Sequence, residues 1–366
     1  MPIAIPSIAF TVLSFAVALG VLVFVHELGH FTVAKRIGVR VLRFSIGFGP
    51  VIFSRRRGET EYALSAVPMG GYVKMLGEDE EGEEVVAPEE EERSFANQSV
   101  ASRAAIVFAG PGMNLVFAFV VYAVLFIAVG VDMPSNAPVV GGVTPGLPAA
   151  EAGLLAGDRI AAVNGQPITT WEELSKSVLG SNGERLHLQV EREGGQQLTL
   201  DVTPALQESR NLFGESMGSV YRIGIEASHE WTQVGPVKAV GMAAEQTWTA
   251  STMVVKGLVL MFRGRVPLRE LGGPIAIARA AGQQARAGFR YFLSMLAFLS
   301  INLAVLNLLP IPALDGGHLA FFAVEAVMRR PLRPQHRELA QRVGLLVLIT
   351  LMVFVFYNDI HRLVQG

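Results

Sequence analysis

His26-Glu27-Leu28-Gly29-His30 is the string in this sequence best suited to chemistry. Histidines at i and i+4 of a helix share a face, so both imidazoles can reach one zinc ion. Glu27, beside the first of them, can take a proton from water held there, as the general base of a metal-assisted hydrolysis. The string closes an uncharged stretch, residues 2–25, long enough to cross a hydrocarbon core of about 30 Å. Three ionisable groups at the end of a span are costly unless paired or ligated, which favours a metal site over polar residues at an interface.

Zinc needs a third protein ligand and an open position. The chain has no cysteine, so that ligand must be His, Asp or Glu. His187, His229, His318, His336 and His361 remain, but none is placed as well as Asp315 in NLAVLNLLPIPALDGGH, residues 302–318. Pro310 and Pro312 break a helix there at membrane depth, and irregular backbone at that depth must be buried in protein or line a cavity. His318, three residues on, is the alternative ligand.

The elements that must position these groups are legible in the composition. Of 366 residues, 51% are hydrophobic and only 17% charged, against about 25% in soluble domains. Mean hydropathy is +0.41, which excludes disorder and indicates a membrane protein. A net charge of −2 gives no broad basic face for nucleic acid. Apolar stretches at 2–25, 104–131, 291–309 and 343–357 are expected to be four transmembrane helices. The first lacks the basic start and small-residue cleavage site of a signal peptide. Basic residues flank the spans at Lys35, Arg36, Arg40, Arg43 and Arg103, and again at Arg329, Arg330, Arg333 and Arg337. These predict cytoplasmic loops at 31–103 and 315–340, with both termini and 132–286 outside.

Between the first two spans, residues 41–75 alternate and are punctuated by glycine, as in a curled β-hairpin. Gly70 and Gly71 lower the bulk where another backbone can approach, and Tyr72, Val73 and Met75 favour extended structure. The acidic run 78–92 reads as a solvated loop. Residues 139–204 change to short β-rich runs with a helix at 171–178, an inserted α+β module. Residues 236–262 read as an amphipathic helix on the membrane surface. The expected divisions are 1–33, first span; 34–100, hairpin and acidic loop; 101–131, second span; 132–235, module and flanks; 236–286, amphipathic segment; and 287–366, third and fourth spans.

HELGH at one span end and NLLPIPALDGG at a later one resemble the site-2 protease family of intramembrane zinc metalloproteases. GFGP, PMGGYVKM and GPGMN (110–114) resemble its bacterial RseP branch, and AAEAGLLAGDRIAAVNGQPI is similar to a PDZ domain. The resemblance covers nearly the whole chain, but several relatives carry two PDZ domains and residues 205–235 leave no room for a second. It implies His26, His30 and Asp315 as Zn2+ ligands and Glu27 as base. It also implies substrate contacts from Asn302, Asn307, Pro310 and Pro312. Gly47, Gly49 and the 69–75 strand match a membrane-associated hairpin on the cytoplasmic side, with Gly70, Gly71, Tyr72 and Val73 as substrate-binding candidates. The implied setting is a bacterial cytoplasmic membrane, with the PDZ-like domain outside and the active site toward the cytoplasm. The implied partners are the bilayer and single-pass membrane proteins already trimmed by another protease, such as anti-sigma factors or signal-peptide remnants. A membrane-anchored PDZ scaffold with an inactive metal site is the alternative, although it would have no need of Glu27. A transporter with broken helices is disfavoured by the lack of an inverted repeat.

Overall fold

The structure is a computed structural model and describes residues 5–78, 87–210, 216–267 and 272–365. Helix α1 (Ile5–Ile37) carries the apolar first stretch and continues well past His30, so HELGH lies inside a helix. Lys35 and Arg36 in its last turn suit the negative end of the helix dipole. Gly38, at φ +96°, ends it, with the N–H groups of Gly38 and Val39 donating to Ala34 O at 3.1 and 3.0 Å.

Strands β1 (Val41–Arg57) and β2 (Thr60–Met75) form the expected hairpin. Its ribbon folds back on itself: Arg43, Phe44, Ser45 and Ile46 have partners both in 61–64 and in 71–74. Val41, Phe44, Val73 and Met75 join Ala34, Val39, Ile106 and Phe322 in one buried cluster. The rest of the ribbon exposes Phe48, Ile52, Phe53 and Leu64. Part of the acidic run, 79–86, lies outside the described residues. Its later part forms a 3-10 turn (Pro88–Arg93) pinned by ion pairs, Glu90 to Arg40 and Arg93 to Glu59, so this end is docked rather than freely solvated. Helix α2 (Val100–Ala128) follows.

Residues Phe126–Pro236 form a compact unit of their own. In chain order it contains β3 (Val131–Pro134), β4 (Val140–Val143), α3 (Pro148–Glu151), β5 (Arg159–Val163), β6 (Gln166–Pro167), α4 (Trp171–Gly180), β7 (Leu186–Arg192), β8 (Gln196–Val202), β9 (Ala205–Arg210), β10 (Ser216–Arg222), β11 (Ile225–Ala227) and β12 (His229–Thr232). A four-stranded sheet runs β6-β5-β7-β8, with β9·β10, β4·β11 and β3·β12 as separate pairs. Leu186, Leu188 and Val190 alternate inward on β7 and meet Ile160, Leu174 and Ile223 in the core. Thr170 and Glu173 start α4 with a capping box. The module therefore extends beyond 139–204. Its last strands are short and pair with partners far back in the chain, a relation that local alternation cannot reveal.

Asp158 is a pH-sensitive anchor of this unit. Its side chain is 1% exposed and accepts from Arg192 Nε and Nη2 at 2.7 Å each, and from Leu155 N at 2.9 Å. The Arg192 hydrogen bonds hold the carboxyl below its ordinary value. A depressed carboxylate stabilises the fold above the unfolded-state value, about pH 4, and that contribution is lost as pH falls through the folded one. Asp158→Asn should therefore raise protease cleavage within 126–236 at pH 7. It should also remove the added acid sensitivity the parent shows below about pH 4. Equal digestion of both proteins across this range would refute the anchor.

The chain then returns through α5 (Pro236–Phe262), α6 (Pro274–Ala287), α7 (Phe289–Asn307), α8 (Asp315–Met328) and α9 (Pro334–Gln365). Among the described residues four helical segments are long and apolar enough to cross a membrane: Ile8–Ile37, Val100–Ala128, Phe289–Asn307 and Gln335–Val364. The fourth exceeds the expected 343–357 because polar residues from Gln335 to Arg342 continue the same helix, and hydropathy measures apolarity rather than helicity. α5 has the bounds expected for the helix at 236–262, and α6 is a second helix that follows it. Asp359 of α9 accepts from Gly273, Ile275 and Ala276 N–H at 2.9–3.1 Å, capping α6 from another element.

Candidate metal centre

On α1, His26 and His30 project from one face, with ring centroids 4.8 Å apart. Their Nε2 atoms are 3.2 Å apart. Asp315, the first residue of α8, brings Oδ2 to 3.1 Å from His26 Nε2 and 3.7 Å from His30 Nε2. The edge of a tetrahedron with metal–ligand bonds of about 2.0–2.1 Å is roughly 3.4 Å, so the three donor atoms have the spacing of three zinc ligands.

Hydrogen-bond accounting tests the fit independently. His30 Nδ1–H donates to Ile106 O at 2.9 Å. A carbonyl can only accept, so the proton is on Nδ1 and the Nε2 lone pair is free. Asp315 Oδ2 is buried and has no hydrogen-bond partner. An orphaned carboxylate oxygen facing two imidazole nitrogens is what a cation would satisfy. The Asn114 amide lies 3.1 Å from His26 Nδ1, and its Oδ1 is buried and unpartnered. A metal at His26 Nε2 puts the proton on Nδ1, so Oδ1 is the amide atom that belongs toward the ring.

Close approach of α2 makes room for the rings. A Cβ on Gly110 would lie 2.2 Å from His30 Nε2 and 2.9 Å from His26 Cε1. Gly29 meets α2 from the other side, where its Cβ would lie 2.1 Å from Ala109 O. Residue reading left Gly29, Gly110 and Ile106 unassigned and gave Asn114 no chemistry. The available signal was the four-residue spacing of Gly110 and Asn114, which sets both on one helix face.

Asn307 brings Nδ2 to 3.3 Å from His26 Nε2, at the metal position. Asn302 instead donates to Phe298 O within its own helix at 2.8 Å. Pro310 and Pro312 lie in the turn from α7 to α8, which is compact because side chains on Gly316 and Gly317 would strike the backbone of 308–309 and 311–312. The His318 ring is 6.4 Å from Phe321 and lines a separate cleft of about 400 Å³ with Pro312, Glu338 and Arg342, outside the donor trio.

Beside the base, the hairpin touches α1. A Cβ on Gly71 would lie 3.0 Å from Glu27 Cγ and 2.9 Å from Val23 Cγ1. Gly70, at φ +124°, lies under the Phe48 ring, which stacks on Tyr72 with centroids 6.1 Å apart. Arg43 donates to Tyr72 Oη at 3.2 Å. Val73 and Met75 are buried, so only their main chain remains for contact.

Residues 14–351 match the family described as Peptidase family M50. The chain belongs to peptidase family M50. A zinc metalloprotease of Rhizobium meliloti is 38% identical, over 99% of this chain and all of that protein. The regulator of sigma-E protease RseP of Salmonella typhimurium is 34% identical over 456 aligned positions, covering 98% of this chain and all of the relative. Those positions outnumber the 366 residues here, so that relative has a segment without counterpart in this M50 chain. A PDZ domain from Listeria monocytogenes aligns with 26% of this chain and 93% of its own, at 21% identity and a TM-score of 0.20. Family and relatives bear out a membrane metalloprotease of the site-2 type, and nothing supports the inactive scaffold.

Proposed function

We propose that this M50 peptidase holds zinc between His26, His30 and Asp315 and cleaves transmembrane segments of single-pass proteins in a bacterial cytoplasmic membrane. The observation that carries the reading is the convergence of three donor atoms, one an orphaned carboxylate oxygen, on a helix apolar enough to span a bilayer. When bound, zinc supplies Lewis acidity toward the scissile carbonyl and the attacking water. Glu27 takes the proton of that water and returns it to the leaving amine. Asn307 offers an amide donor at the same place.

A helical substrate hides its carbonyls in its own hydrogen bonds, so it must unwind and find other partners. Among the described residues no further strand pairs with 71–75 beyond β1, which leaves a strand edge for β-addition. Gly71 brings that backbone against Glu27. The basic flanks put the hairpin and metal site toward the cytoplasm, and both termini and the 126–236 module outside. There the module acts on access, as a size filter admitting substrates already trimmed by another protease.

The test is cleavage of a single-pass reporter by the purified protein, with proline scanned through Tyr72, Val73 and Lys74. Hydrogen-bonding direction alternates along a strand. Where the lost N–H faces the free edge, cleavage should fall at least tenfold, roughly one lost hydrogen bond, while zinc content and protease resistance hold. Tyr72→Ala should stay within about threefold of the parent, because strand addition uses main-chain groups. Sequence alone extends that mildness to Val73 and Met75. Their burial restricts it to Tyr72, since alanine at either would open the core. If every folded proline variant cleaves normally, strand addition here is wrong.

A further inference from the structure

Arg103 and Glu325 form a buried ion pair that the reaction described above does not use. Arg103 Nη2 donates to Glu325 Oε2 at 2.9 Å, and the side chains are 13% and 3% exposed. The guanidinium carbon sits 4.9 Å from the Phe322 ring centroid. Glu325 Oε1 accepts from Leu332 N at 3.3 Å. Arg103 Nε is buried without a partner. A buried pair with an unsatisfied donor is a poor source of net stability, because desolvating two charges offsets most of their attraction. A directional role explains it better.

The two helices tied by this pair, α2 and α8, both reach the metal position, where α1 carries the two histidines. Arg103 is in the first turn of α2, and Gly110 and Asn114, farther along α2, touch His30 and His26. Glu325 is on α8, whose first residue is Asp315, ten residues or about 15 Å away. The Asp315 carboxylate lacks a hydrogen bond to hold it in place: Oδ2 is unpartnered, and the N-cap Leu314 makes no side-chain cap. The buried residues of α8 are Gly316, Gly317, Phe322 and Glu325. Phe322 packs on Ile106 and Phe95, but apolar contact is non-directional and permits sliding and rotation. The charged hydrogen bond adds a directional tie that opposes both axial sliding and rotation of α8 at the end far from its tightly packed first turn.

We propose that Arg103–Glu325 is a positioning pair that registers α8 against α2 and so holds the Asp315 carboxylate at the distance the two histidines require. This rests on the reading of His26, His30 and Asp315 as the zinc site. Neither residue touches substrate.

The experiment compares the intact detergent-solubilised protein with Glu325→Gln, Arg103→Met and Arg103→Lys. It measures zinc release to a chelator, the visible spectrum after cobalt(II) replacement, and kcat and KM on a single-pass reporter. Glu325→Gln and Arg103→Met should release zinc about tenfold faster, the usual effect of losing a group that orients a ligand. Their cobalt bands should shift, and kcat should fall with KM unchanged. Arg103→Lys, which keeps the charge, should recover most of the zinc retention. A purely structural pair would lower the melting temperature while leaving zinc release, spectrum and kcat at parental values, and that outcome overturns the proposal. Should Arg103→Met fail to fold, the near-isosteric Glu325→Gln decides alone. A parent protein that binds no zinc overturns the metal-site reading as well, whereas a zinc-loaded parent matched by Glu325→Gln in all three readouts overturns only the pair.

Discussion

Glu27→Gln should bind zinc as the parent does and cleave 10²- to 10⁴-fold more slowly, the usual contribution of a positioned general base. Gln is nearly isosteric and removes no ligand, because the donor atoms belong to His26, His30 and Asp315. What it removes is the ability to accept a proton from water next to His26. Gln also fits the same space, where Glu27 Cγ lies against Gly71, so the hairpin is not displaced. Metal analysis and reporter cleavage on one preparation check both halves. Loss of zinc would make Glu27 a ligand or a structural group, and cleavage near the parental rate would remove it from the reaction.

Gly110→Ala should abolish zinc binding although Gly110 holds no metal. The added methyl would lie 2.2 Å from His30 Nε2 and 2.9 Å from His26 Cε1, so both rings must move by the order of 1 Å. Metal sites tolerate deviations of only about 0.2 Å in ligand distance. Alanine also favours helix over glycine by about 1 kcal/mol, which offsets part of the strain in α2 and keeps the fold. The expected result is a folded protein without zinc or activity. Gly112→Ala is the control, since its Cβ would meet only Phe108, at 3.4 Å, and zinc should stay. Zinc at parental stoichiometry in Gly110→Ala would mean that α2 does not confine the histidines.

The candidate donor trio, the proposed base and the four apolar spans were legible in the sequence because each is a local pattern. Two histidines four apart share a helix face whatever surrounds them. A run of apolar residues must span or be buried, and a Pro-rich break followed by Asp at membrane depth must line a cavity. Alternation with glycine was enough to predict the β1–β2 hairpin, but not that its ribbon folds back so that Arg43–Ile46 are paired on both sides.

The remainder depends on which surfaces meet, and local pattern does not encode that. Asn302 and Asn307 belong to one string, yet a five-residue separation turns them about 140° apart on α7, and only Asn307 reaches His26. Val73 and Met75 read as an exposed strand edge until the packing of α1, α2 and α8 buries them. The proton on His30 is fixed by Ile106 O, a backbone atom with no sequence identity. By itself the sequence determined which atoms can bind a metal and which helices carry them. Tertiary structure alone decided how near α2 lies to those atoms, because Gly110 acts through a side chain it lacks, and an absence becomes a constraint only when another element fills the space.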